Sequence, residues 1–122
     1  MSKQSFYINF ITRTTITMFG IFKNMFAPKS NSELIVAVKS GAFLVDVRTP
    51  AEFSSGNVKG STNIPLDEVS SQLAKFKNKE NIVVFCRSGN RSSKAKSILE
   101  QNGFLNVING GTWEIVNQVL NK

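Results

Sequence analysis

The stretch Ile82-Val83-Val84-Phe85-Cys86-Arg87-Ser88-Gly89-Asn90-Arg91-Ser92 decides the fold. Its first four residues are an unbroken run of β-branched and aromatic side chains, the composition of a short strand buried on both faces. The residues after Cys86 are polar, include a glycine and lead into a helical pattern over residues 91–101. A strand that passes through a short loop into a helix is the repeating step of an α/β sheet.

Working outward, the same step recurs on both sides. Phe43-Leu44-Val45-Asp46-Val47 is a second apolar run, and Thr49-Pro50-Ala51-Glu52 then joins an N-cap, a proline at the first helical position and a capping-box glutamate. This predicts a short helix ending at Gly56. Ser30 and Glu33 have capping-box spacing for an earlier helix over residues 32–39, closed by Gly41. Residues 61–64 read as a brief strand, and Pro65 opens a helix over residues 66–76. Beyond Gly103, a strand over residues 105–108, a turn at Gly110-Gly111 and a last helix over residues 112–120 complete the series. The expectation is an α/β domain with a mostly parallel central sheet of four to five short strands and helices on both faces. Such sheets bind ligands beyond the carboxyl ends of their strands, which is where Cys86 stands.

The chain has 122 residues, 41% of them hydrophobic, which suits one domain with one ordinary core. That domain is assigned to residues 29–122. Residues 1–28 form a basic, apolar extension that reads in two ways. Met18, Phe19, Ile21, Phe22, Met25 and Phe26 share one broad helical face near Lys23, which suits a peripheral membrane anchor; the other reading is a docked or disordered tail. Met18 is also a candidate natural start. No apolar run approaches the ~20 residues of a membrane span, and Arg13 interrupts any secretory signal.

Net charge is +7, and residues 1–30 carry Lys3, Arg13, Lys23 and Lys29 with no acid. The rest is mildly basic, which favours anions in general. No nucleic-acid reading module is present, so no nucleic-acid partner is expected. Cys86 is the single cysteine and histidine is absent, which excludes an intramolecular disulfide, a Cys/His zinc site and any His-based catalysis. A lone thiol fits a reducing compartment, hence the cytoplasm.

The loop Arg87-Ser88-Gly89-Asn90-Arg91 has the composition of an anion cradle. Gly89 permits positive φ and Asn90 tolerates it, so the N–H groups of residues 87–91 can converge beside the sulfur. The following helix adds its positive dipole end, and Arg87 and Arg91 add full charges. Cys86 is therefore expected as a thiolate below the free-thiol value of about 8.5. A cysteine after a strand is often only a small buried hydrophobe. Two arginines, a glycine and a helix start within six residues exceed what packing requires. The chemical reading needs a sulfur that is ionised and open to solvent.

At this point residues 30–121 resemble the rhodanese family. The likeness is carried by Asp46-Val47-Arg48-Thr49-Pro50-Ala51-Glu52-Phe53, by Gly56-Asn57-Val58-Lys59-Gly60-Ser61-Thr62-Asn63-Ile64-Pro65, by the Cys86 loop, and by Gly110-Gly111-Thr112-Trp113, in that order. Asn57 departs from the family's usual histidine at a position that looks structural. No strand is evident near Ala27, so the sheet is either one strand short or borrows from the extension. The resemblance implies a thiosulfate sulfurtransferase with Cys86 as nucleophile and persulfide carrier, without cofactor or metal. Arg87, Ser88, Gly89, Asn90 and Arg91 would bind the anionic donor, Arg91 being favoured over Arg87 as the loop arginine. Asp46 and Arg48 would hold loops by ion pairing, with Glu52 as a further partner. Trp113 would line the pocket or pack in the core, and Ser88 and Ser92 would serve as loop and cap residues. The implied partners are a small anionic sulfur donor and a thiol or cyanide acceptor, or a protein sulfur donor or acceptor. The competing class is a non-catalytic sulfur-carrier or regulatory module. Cys86 to Arg91 is Cys-x4-Arg, as in sulfurtransferases; the cysteine phosphatases carry one more residue, and Ser92 stands where their arginine would be.

Overall fold

Strand β3, Ile82–Cys86, is buried along its whole length and lies inside a parallel sheet of order β2-β1-β3-β4. These are elements of a computed structural model that describes residues 31–122. The N-terminal extension, the domain boundary near residue 28 and Ser30 of the first capping box lie outside the described residues. In chain order the elements are α1 (Ser32–Lys39), β1 (Phe43–Asp46), α2 (Pro50–Ser55), β2 (Thr62–Asn63), two 3-10 helices (Leu66–Ser71 and Leu73–Phe76), β3, α3 (Asn90–Gln101), β4 (Val107–Thr112) and α4 (Trp113–Leu120). Each pair of neighbouring strands is parallel, as predicted.

The alternation of side chains along β3 divides the core into two layers. Ile82, Val84 and Cys86 face Ala95 and Leu99 of α3, with Val69 and Phe76 of the 3-10 segments. Val83 and Phe85 face Leu34, Ala37 and Val38 of α1 and Val116 and Val119 of α4. Each fully buried Val, Ile or Phe here contributes about 1.5–3 kcal/mol by leaving water. Both faces are covered, which is why the strand sequence is continuously apolar.

Three expectations are corrected. Residues 66–76 form two 3-10 helices broken at Gln72, not one longer helix. Ser70 and Ser71 occupy the middle of that span, and Ser71 Oγ bonds back to the Glu68 carbonyl at 3.0 Å, an alternative to helical continuation. The last strand begins at Val107 and runs to Thr112 rather than occupying residues 105–108; Leu105 is 84% exposed. Gly110-Gly111 is not a turn but a bulge inside β4: Val84 pairs with Asn109 and Phe85 with Gly111, so Gly110 is passed over. A β-carbon on Gly110 would lie 2.8 Å from Val116 and 3.0 Å from Val83, and Gly111 takes a φ of 82°. The bulge needs both glycines for those two different reasons.

The topology places the site. From β1 the chain goes outward to β2 and returns on the other side to β3, so β1 and β3 flank the point where the winding reverses. The carboxyl ends of these strands carry Asp46 and Cys86.

Candidate active site

Cys86 closes β3 with its side chain in the α3 layer, so the sulfur faces the first turn of the helix that follows. Gly89 makes the connection. Its φ of 99° is left-handed, and it occupies the cap of α3 without any side-chain cap bond. With no capping oxygen at this end, the N–H of Gly89 itself and that of Ser92 in the first turn are directed to the sulfur. Gly89 N donates to Sγ at 3.0 Å and Ser92 N at 3.4 Å, while Ser92 Oγ lies 3.5 Å from Sγ. Asn90, expected to share the positive-φ role, is instead the first residue of the helix.

Burial pushes the Cys86 thiol up; the Ser92 hydroxyl and the N–H groups of Ser92, Gly89 and Ser88 pull it down, leaving it below the ordinary thiol value. Neutral dipoles therefore do most of the stabilising. Arg91, predicted as the loop arginine, donates from Nη1 and Nη2 to both Glu52 oxygens at 2.7 and 3.1 Å. That bond, and next the Thr49 N–H, lower the Glu52 carboxyl to about 2. Glu52 also closes the Thr49 capping box of α2, so it ties α2 to α3. Arg87 and Ser88 are exposed beside the sulfur, and among the described residues Arg87 makes no ion pair.

Asp46 and Arg48 behave as expected in pairing with each other but not in reaching Glu52. Arg48 Nε and Nη2 bind the Asp46 carboxylate at 3.0 and 2.7 Å, and Nη2 also donates to the Gly56 carbonyl at 2.6 Å. The guanidinium stacks over Trp113 at 4.7 Å, and Trp113 packs against Gly56, where a β-carbon would come within 3.2 Å. Trp113 is partly buried and packs against the core layer under α1 and α4. Asn57, just past the end of α2, bonds back to it, Nδ2 to the Phe53 carbonyl at 2.9 Å.

The surroundings of the sulfur depart further from the sequence reading. The sulfur is not open to solvent: Cys86 has 0% exposure, because the amides that gather on it also cover it. Ser92, treated as a cap, is buried and touches the sulfur through both N and Oγ. Asn109, not singled out at all, accepts from Ser92 Oγ at 2.7 Å from the bulge of β4. No local signal marks it, since the contact spans 17 residues and depends on the bulge.

A parallel sheet wrapped on both faces, with one thiol held by amides at a strand's carboxyl end, defines an α/β domain built around a cysteine loop. Residues 30–117 match the model of the rhodanese-like domain, and the chain belongs to that family. It is 38% identical over 69 residues to the thiosulfate sulfurtransferase PspE of Escherichia coli K12, which covers 55% of this chain and 66% of that protein. The structure of a rhodanese with anions from E. coli is similar at TM-score 0.55 and 35% identity, covering 60% of this chain and 88% of that one. The human single-domain sulfurtransferase TSTD1 is similar at TM-score 0.57 and 26% identity, covering 74% and 92%. The match spans 66%, 62% and 59% of the first three curated relatives' lengths, somewhat under two thirds.

Proposed function

We propose that the protein is a sulfurtransferase that moves a sulfane sulfur from thiosulfate or a persulfide donor to a thiol or cyanide acceptor through a Cys86 persulfide. In the first step the Cys86 thiolate attacks the outer sulfur of thiosulfate. The Sγ–S bond forms as the S–S bond of thiosulfate breaks, and sulfite leaves with the electron pair. In the second step the acceptor thiolate attacks the outer sulfur of the persulfide, taking it and returning Cys86 to the thiolate. The observation that carries the reading is the set of donors on Sγ: two N–H groups and a hydroxyl, with the thiol drawn below its ordinary value. The same donors stabilise negative charge on sulfur at each step. Arg87, Ser88 and Gly89 of the loop, with Asn90 and Arg91 at the start of α3, meet the donor; Arg91 is bonded to Glu52, so Arg87 is the exposed charge that attracts an anion. A lone reactive thiol is kept reduced most readily in the cytoplasm.

One observation favours the second reading, a carrier module served by a protein partner. Cys86 has no accessible surface, so the solvent access that the chemistry needs exists in either reading only when the loop parts; in the carrier reading a docking partner supplies the binding energy for that opening. Steady-state turnover with thiosulfate and cyanide separates the two. A sulfurtransferase turns over and loses all turnover in Cys86→Ser; a carrier acquires sulfur without turning over. Full activity in Cys86→Ser overturns both.

A further inference from the structure

From the end of β3 a chain of contacts runs through the first turn of α3 to the bulge of β4: Cys86, Ser92, Asn109. The Ser92 hydroxyl owns one proton. Three acceptors surround it: Cys86 Sγ at 3.5 Å, the Gly89 carbonyl at 3.1 Å and Asn109 Oδ1 at 2.7 Å. The Asn109 carboxamide is not free to turn. Gly111 N donates to Oδ1 at 2.9 Å, so the oxygen rather than the NH2 group faces Ser92, and Nδ2 points to the Gly89 carbonyl at 3.4 Å. The bulge makes this possible, since it brings Gly111 N back onto the side chain two residues earlier.

We propose that Asn109 is a positioning residue that sets the reactivity of Cys86 through the proton of Ser92. With the sulfur as a thiol, S–H donates to Ser92 Oγ and the hydroxyl donates to Asn109. With the sulfur as a thiolate, the hydroxyl turns to Sγ and Asn109 Oδ1 keeps only the Gly111 N–H. On ionisation the S–H bond breaks and its proton leaves to solvent, while the Ser92 hydroxyl keeps its own proton and changes only the acceptor to which it donates. Asn109 therefore competes with the sulfur for a hydrogen bond and holds back its ionisation. A thiolate that ionises too readily is a weaker nucleophile, so the competition keeps the sulfur reactive as well as charged. The inference rests on Cys86 being the reactive sulfur, but its test needs no sulfur transfer.

The charged groups around the sulfur are Arg87 and Arg91 on its own loop and helix, Glu52 bonded to Arg91 from α2, and the Asp46–Arg48 pair at the end of β1. None of them bonds to Ser92 or Asn109, so substitution at those two positions leaves the pairs in place. The test is a pH titration of the ultraviolet thiolate absorbance, with Cys86→Ser as the blank; the chain has no second thiol. Asn109→Ala shifts the midpoint to lower pH and Ser92→Ala shifts it to higher pH. At fixed pH the thiolate-to-thiol ratio changes by about two- to tenfold, the worth of one net hydrogen bond. The double variant behaves like Ser92→Ala, because Asn109 acts only through the hydroxyl. Asn109→Asp raises the midpoint by its charge alone, so the control for mere loosening of β4 is Asn109→Ala in the Ser92→Ala background, where no further shift is expected. An unchanged midpoint in Asn109→Ala, or the same shift from it in the Ser92→Ala background, overturns the proposal. Failure here with persulfide formation intact leaves the sulfurtransfer reading standing, and the reverse result separates them equally.

Discussion

At the carboxyl ends of adjacent strands, β1 and β3, the molecule buries two polar groups and treats them in opposite ways. Asp46 meets a full countercharge: Arg48 binds it, spends a further donor on the Gly56 carbonyl and lies flat on Trp113. Cys86 meets no countercharge in contact; its neighbours are two N–H groups and one hydroxyl. A buried ion pair whose two carboxylate oxygens both accept from the guanidinium is costly to break. Dipoles aimed at one sulfur stabilise its charge while leaving it able to form a bond. On the proposed reading, the difference separates a cluster that holds loops from a site suited to chemistry.

The largest effect expected from this contrast falls on the paired cluster. Asp46→Ala leaves the Arg48 guanidinium buried and unpaired, and urea unfolding should register a loss of about 3–5 kcal/mol. Molecules that remain folded at low temperature should still acquire sulfur. If Asp46→Ala instead left stability intact and abolished sulfur loading, the cluster would belong to the chemistry and the division above would fail.

A smaller effect is expected at the hinge of the dipole site. Gly89 takes a φ of 99°, yet a β-carbon there meets nothing closer than Gly111 at 3.8 Å. Gly89→Ala thus pays for conformation and not for collision, about 1–2 kcal/mol, or else relaxes the loop. Relaxation withdraws the Gly89 N–H from Sγ, so the thiol midpoint should rise while the Asp46 cluster is untouched. A stability loss with an unmoved midpoint would show that the left-handed residue serves folding alone.

The smallest effect concerns the pair that bridges the two regions, Arg91 and Glu52. The Glu52 carboxyl lies at about 2 in the folded chain against 4.5 for the free group. A depressed folded value adds stability above the free value, and that stability is lost as pH falls from 4.5 toward 2. Both side chains are about one third exposed, so the pair is worth roughly 1 kcal/mol or less. Glu52→Gln should be slightly less stable than the parent at neutral pH, with the gap closing across that acid window. A gap that persisted below it would assign the loss to the Thr49 cap rather than to charge.

The sequence made the strands and helices legible wherever local chemistry suffices. Ile82–Cys86 is an unbroken apolar run because helices cover it on both faces, and the Thr49-Pro50-Ala51-Glu52 start is realised with both halves of its capping box. Cys86 and the left-handed Gly89 were legible for the same reason. What escaped depends on contacts between distant segments. Asn-Gly-Gly has the composition of a turn, and only pairing with β3 makes it a bulge. Glu52 and Arg91 are 39 residues apart, and nothing near Arg91 reveals that its charge is already taken. Closure of the loop over the sulfur follows from hydrogen-bond distances that no spacing encodes.

The intact mass of the reduced protein, before and after incubation with thiosulfate and with Cys86→Ser alongside, tests the central claim most directly. The account predicts a gain of one sulfur atom in the parent, reversed by excess thiol, and none in Cys86→Ser. A parent that gains nothing, or a Cys86→Ser protein that gains the same mass, would contradict it.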